Sequence, residues 1–296
     1  MPHTKKQERW FLRHDNAYAI AYALRQSIFK HLDKIDEKNY AAARAETLRK
    51  FGKSARVMEV EDIKILYDGK TTQDLDFFGG MQHDVYEPEV TNTIKKLKGG
   101  DTFIDVGANS GYFTLLAAKC VGEEGVVLAF EPTPSTFRRL EKNIALNGFK
   151  NIVAYNMALG NRNELMNLYI SKSDGQNSFA TTVGKSGHIK VPLKRLDSIL
   201  KEKEIDLMKI DTEGWEYEVI DGCGSLTSKI KAIVLEYNHQ LLHEKGEGFD
   251  NVFKLLERNG FKITELNEDG SIGTEVKSHR DLSQFYKNLY AVRQRL

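Results

Sequence analysis

The sequence is poor in several things that would have settled its class at once. It has two cysteines, Cys120 and Cys223, in 296 residues. That is too few for a disulfide framework, and their separation is not that of metal ligands. Each lies in apolar or glycine-containing surroundings, as a small core residue does. No apolar run approaches the roughly 20 residues of a membrane-crossing helix, and no N-terminal stretch has the form of a signal peptide. An excess of one charge is missing too. With 43 Lys and Arg against 42 Asp and Glu, the formal net charge is +1, so no basic field draws the chain to nucleic acid or anionic lipid. These absences predict a soluble, cytoplasmic protein with no nucleic-acid partner and no membrane span.

What is present suits one large α/β domain with an appendage: 296 residues, 41% of them hydrophobic, are enough to bury a sizeable core. The centre of the pattern is Asp101 to Glu131, DTFIDVGANSGYFTLLAAKCVGEEGVVLAFE. Phe103, Ile104 and Val106 form a buried-strand run that stops at Gly107-Ala108-Asn109-Ser110-Gly111. A helix opens at Tyr112 and Phe113, and a second strand, Val126 to Phe130, ends at Glu131. Strand, glycine turn, helix, strand and acid make the mononucleotide half of a doubly wound sheet. Glycines permit close backbone approach and the helix start offers amide donors, while an acid at the second strand tip accepts hydrogen bonds from ribose hydroxyls. A dinucleotide site shows G-x-G-x-x-G. Here Asn109 replaces the second glycine, so the pyrophosphate cradle is doubtful and the ribose acid remains. The ligand that fits is a phosphate-free nucleoside such as S-adenosylmethionine.

Around this centre the chain divides at about residue 55. Apolar residues from Asn16 to Leu32 recur at helical spacing, and Tyr40 to Phe51 is alanine-rich, so residues 1–55 read as a helical extension. Two roles stand open for it: a lid or homodimerisation hairpin, or a pair of helices that only buries apolar area. Val57 to Leu66, with a turn at Tyr67 to Lys70 and a close at Phe77 to Gly80, reads as a β-hairpin. A helix starts at Tyr86-Glu87-Pro88, and another runs from Thr136 to Leu146 with Ser135 as its cap. Further strands are expected at Ile152–Tyr155, Ile205–Asp211, Ala232–Glu236, Phe261–Leu266 and Asn288–Val292, which gives seven in all. Ser171 to His188 reads as a polar loop, and His188 as an inert histidine within it.

DVGANSGYF, then FEPTP, then LMKIDTEGWEYEVIDG, in this order, resemble the FkbM family of S-adenosylmethionine-dependent methyltransferases from about Tyr86 to Val292. The resemblance implies a Rossmann-like α/β sheet of seven strands, mostly parallel with the last antiparallel, in a domain over 56–296 with its core at 86–292. It implies cofactor contacts from Tyr86, Glu87, Asp105, Gly107, Asn109, Gly111, Tyr112, Phe113, Glu131, Pro132 and Asp211. Met157 and Ala158 are placed by it over the adenine ring, where by sequence alone they read as ordinary core.

Ligands on such sheets bind beyond the carboxyl ends of the strands. The tips here are Asp105 to Asn109, Glu131, Met157-Ala158, Asp211 to Glu213 and Glu236 to His239. A hydroxyl acceptor needs a base as its proton leaves, and the candidates, in order, are Asp211, Glu213 and His239. A helix-starting carboxylate such as Glu213 is also favoured by the helix dipole alone. Asp211, Glu236 and Asn238 give a competing reading as oxygen ligands of a divalent cation, similar to the arrangement in catechol O-methyltransferase. The expected function is O-methyl transfer to a small-molecule hydroxyl, on a sugar, glycan or polyketide-like acceptor. The alternatives are a nicotinamide-dependent oxidoreductase and a non-catalytic S-adenosylmethionine-binding scaffold.

Overall fold

The computed structural model describes residues 56–67, 86–171, 179, 185–201, 203–238, 250–278, 281–282 and 286–294. The helices expected before residue 55, their dimerisation role and the hairpin close at Phe77–Gly80 lie outside these residues, as does His239.

The first element is a hairpin of β1 (Arg56–Val60) and β2 (Ile63–Tyr67), with Val60 opposite Ile63. Its turn is Glu61-Asp62, not the expected Tyr67–Lys70. Both turn residues are left-handed, at φ 51° and 56°, the backbone that a two-residue hairpin demands. An acid pair replaces the usual Asn-Gly, and cations hold it from outside: Lys95 lies 2.6 Å from Glu61 and Lys119 2.7 Å from Asp62.

The central sheet is built from β3 (Thr102–Val106), β4 (Val126–Phe130), β5 (Ile152–Tyr155), β9 (Leu207–Ile210), β10 (Ala232–Asn238), β11 (Phe261–Leu266), β12 (Ile272–Glu275) and β13 (Tyr286–Arg293). Their order is β12-β11-β13-β10-β9-β3-β4-β5. From β10 to β5 all neighbours pair parallel, β13 runs antiparallel between β10 and β11, and β12 is antiparallel on the far edge. The sheet therefore has eight strands where seven were expected. The extra one, Ile-Gly-Thr-Glu, is mostly exposed and carries no apolar alternation to announce it.

Successive residues of β3 point to opposite faces. Ile104 joins a core with Leu128, Met208, Ile210, Ile233 and Leu235, while Phe103 joins a second with Val127, Leu207 and Val234. Helices α1 (Pro88–Ile94) and α2 (Tyr112–Val121) contribute to the second core. Both faces being covered explains why these strands read as unbroken apolar runs. Helix α3 (Pro134–Asn147) starts one residue before the predicted cap: Thr133 is its N-cap and Pro134 its first residue, where a missing N–H costs nothing.

A second sheet, ordered β6-β8-β7, comprises β6 (Ala158–Leu159), β7 (Glu164–Ser171) and β8 (Lys185–Lys194). It takes in both ends of the expected polar loop, so His188 is an exposed strand residue paired with Tyr169. Lysines and Pro192 inside β8 hid it, since proline argues against a strand interior. Helices α4 (Leu196–Ile199), α5 (Glu216–Gly222) and α6 (Asp250–Arg258) complete the described residues with a 3-10 turn at Gly224–Lys229. None of their helices is long and apolar enough to cross a membrane.

Candidate active site

The turn after β3 is held from three sides. Gly107 (φ 82°) has no room for a side chain, because a Cβ would stand 1.9 Å from the Asp211 carbonyl oxygen. At Gly111 (φ 96°) a Cβ would stand 2.5 Å from a terminal methyl of the Leu140 side chain on α3. Gly107 is thus required by a backbone contact within the protein, and Gly111 by its left-handed backbone. Three of the turn's amides are bonded to backbone: those of Gly107 and Ala108 donate to the Phe130 carbonyl, and that of Gly111 to the Ala108 carbonyl.

Glu131, at the tip of β4, is buried. Its Oε2 accepts the Asn109 N–H at 3.0 Å and its Oε1 the Thr133 N–H at 2.8 Å. Burial outweighs these bonds and pushes the carboxyl up to about 7, with Asp105 adding to the rise. The Thr133 hydroxyl bonds the same carboxylate, which leaves it one acceptor site of about four for a further donor. Among the described residues, the Oδ1 atoms of Asn109 and Asp105 are buried without a hydrogen-bond partner, and such orphans are uncommon unless a ligand or water completes them. Asp105 turns its other oxygen to the Thr114 hydroxyl at 2.6 Å, and burial raises its pKa against the opposing pull of Lys209.

At the tip of β9, Lys209 and Asp211 form an ion pair of 2.9 Å. Lys209 is 3% exposed, and its ammonium lies 4.9 Å from the centre of the Phe113 ring. Burial alone would lower its pKa, but Asp211, Glu87 and Asp105 together raise it. The carboxylate oxygens of Asp211, Glu213 and Glu236 come within 4.8 Å of one another. Sequence had put Asn238 in that group. The structure brings Glu213 to it, and only the backbone of Asn238 belongs to the described residues. Glu213 is left-handed at φ 53°, a strained state for a non-glycine residue. Its loop is braced by Glu216, whose Oε1 accepts from both the Thr212 hydroxyl and the Gly214 N–H at 3.1 Å.

Tyr86 and Glu87 stand over this end. Glu87, also left-handed at φ 39°, is pushed up to about 7 by burial, with Lys209 opposing and Asp211 reinforcing. Burial raises the Tyr86 phenol well above its ordinary value. Its ring packs against Tyr112 at 5.7 Å and Phe113 at 5.8 Å between centres. Tyr112 and Phe113 are themselves buried. Beyond β5, Asn156 donates to the Glu131 carbonyl at 2.9 Å and the Pro132 carbonyl at 3.1 Å, fixing the start of the Met157-Ala158 segment beside Glu131. Met157 is half-buried against the first core, and Ala158 is buried in β6.

Residues missed by sequence reasoning are Glu216, Asn156 and Thr114. Their signal was only position: Asn156 directly follows β5, and Thr114 and Glu216 lie one to two turns past the tips of β3 and β9.

Residues 105–263, over half the chain, match the profile of the methyltransferase FkbM domain. The chain belongs to the FkbM methyltransferase family. It is 28% identical over 194 residues to Methyltransferase 1 of Beauveria bassiana (strain ARSEF 2860), covering 57% of this chain and 76% of that one. It is 26% identical over 215 residues to the 31-O-demethyl-FK506 methyltransferase FkbM of Streptomyces tacrolimicus, covering 61% and 80%. A solved FkbM methyltransferase from Methylobacillus flagellatus KT aligns at 14% identity and a TM-score of 0.46, over 74% of this chain and 52% of that one. As an FkbM protein the chain is an S-adenosylmethionine-dependent methyltransferase. The donor set fits that cofactor: an acid with an acceptor site to spare suits a ribose hydroxyl, and the carboxylates around Lys209 suit a ligand carrying sulfonium and ammonium charges.

Proposed function

We propose that this FkbM protein transfers the methyl group to a hydroxyl of a small molecule, on a sugar, glycan or polyketide-like acceptor. The observation that carries the reading is the carboxylate group of Asp211, Glu213 and Glu236 at one sheet edge, next to the turn that carries Asn109. The name of the Streptomyces relative, a 31-O-demethyl-FK506 methyltransferase, supports an oxygen acceptor.

In this reading Glu131 and Asn109 hold the ribose end, Pro132, Met157 and Ala158 the adenine, and Tyr86, Glu87, Asp105, Gly107, Gly111, Tyr112 and Phe113 shape the pocket toward the methionine end. S-adenosylmethionine, when bound, supplies a methyl group on a sulfonium leaving group. What remains for the protein is placement, which is worth on the order of 7–11 kcal/mol, and removal of the hydroxyl proton. Asp211 accepts that proton, fixed in place by Lys209. Glu213 and His239 are the alternates. A base in this position contributes roughly 10²–10⁴-fold.

The same three carboxylates favour a second reading, a divalent cation that binds the acceptor oxygen and lowers its pKa. Radiolabelled S-adenosylmethionine, offered with a panel of sugars, macrolides and catechols, tests the proposal. Label appearing on an amine or carbon acceptor, and on no hydroxyl, would overturn it.

A further inference from the structure

Two asparagines one helical turn apart on α3 clamp the hairpin edge. Asn147 accepts the Lys64 N–H at 2.7 Å and donates to the Lys64 carbonyl at 2.7 Å. Asn143 accepts the Leu66 N–H at 2.8 Å. Residues four apart share a helix face, and Lys64 and Leu66 share a strand face, so two side-chain amides stand in for a missing neighbour strand.

The two then part company. The side-chain nitrogen of Asn143 donates to the Ser110 carbonyl at 2.8 Å, in the turn between Asn109 and Gly111. Asn143 is fully buried, so that bond has no water to replace it. A backbone N–H on one side and a carbonyl on the other fix which way its amide points. One turn earlier on α3, Leu140 fills the space over Gly111. The turn is therefore fastened at one end by Glu131 on the Asn109 N–H, and at the other by Asn143 on the Ser110 carbonyl.

We infer that Asn143 is a positioning residue for cofactor binding: it sets the Asn109-Ser110-Gly111 backbone and couples that turn to the β1–β2 hairpin, while the Asn147 side chain bonds the hairpin and, at 2.7 Å, the Asn143 carbonyl of its own helix. The inference rests on the reading that the ribose of S-adenosylmethionine lies between Asn109 and Glu131.

The test is calorimetric titration of the full chain with S-adenosylhomocysteine, beside thermal unfolding. Asn143→Asp keeps the acceptor for Leu66 and replaces the donor to Ser110 with an oxygen. Its affinity should fall roughly tenfold, because the released turn is then set in place only at the expense of binding free energy. Asn147→Ala should lower the melting temperature yet bind within twofold of wild type. In the unmodified protein, S-adenosylhomocysteine should slow amide hydrogen exchange at Leu66 more than at Lys64, a readout that does not depend on any variant folding. Unchanged affinity in Asn143→Asp, or equal exchange effects at the two amides, overturns the inference. Glu131→Ala is titrated alongside. If it binds as wild type does, the ribose reading fails and the inference with it. If it weakens binding while Asn143→Asp does not, the inference alone fails.

Discussion

Lys209 and Asp211 are two residues apart at the end of β9, and their side chains meet at 2.9 Å. Alternation along a strand puts such residues on one face, so the pair is built into the K-I-D sequence. Its lysine is the buried counter-charge for Asp105 and Glu87 as well as Asp211. Lys209→Met should therefore destabilise the protein by about 3–5 kcal/mol, as removal of one partner of a buried pair does. Urea unfolding measures it. The deficit should be largest at high pH and shrink as the pH falls, because the abandoned carboxylates then take up protons.

Asp211→Asn removes the proposed base and keeps the shape of the site. Turnover should fall at least 10²-fold, with a much smaller change in S-adenosylhomocysteine affinity. Near wild-type turnover would remove both the base and the metal roles from Asp211.

Glu131→Ala should weaken the cofactor by about 1–3 kcal/mol, the worth of hydrogen bonds to a charged group. The pH dependence has a definite sign. Ribose hydroxyls donate to the ionised carboxylate, whose pKa in the free protein is raised to about 7, so binding releases a proton and affinity rises with pH through that value. For folding the same shift works in reverse. The contribution is present below the ordinary carboxyl value near 4.5 and is lost as the pH rises through about 7. Calorimetry in buffers of different ionisation enthalpy should record proton release in wild type and less of it in Glu131→Gln.

Glu213→Gly should stabilise the fold by about 1 kcal/mol, since glycine takes a left-handed backbone without strain while giving up some chain entropy. Turnover should fall in the same variant. A stability gain with turnover intact would show that the carboxylate of Glu213 has no part in the reaction.

Chelation separates the two readings of the acidic group. With Asp211 as base, methyl transfer should persist after dialysis against EDTA. Loss of activity that magnesium restores, and that Glu236→Gln reproduces, would establish the cation instead.

Much of this arrangement was legible in the sequence because its signals are local. The strands ending at Phe130, Tyr155 and Leu266 were bounded correctly by apolar runs against glycine or turn residues, and the tips holding Glu131 and Asp211 followed from them. The eighth strand was lost for want of burial, and β8 because Pro192 and its lysines contradict strand chemistry. The hairpin turn was misplaced because Glu61-Asp62 is stabilised by Lys95 and Lys119, which are distant in sequence. Glu216 escaped for a similar reason: its carboxylate serves a loop behind it, and only the folded turn reveals that.

The missing methyl at Gly107 has a mechanical consequence. With the backbone of Asp211 pressed where that carbon would be, any side chain at Gly107 would have to part the segments that carry Asn109 and Asp211. Engineering of the site is therefore better directed at other positions, leaving this junction as it stands.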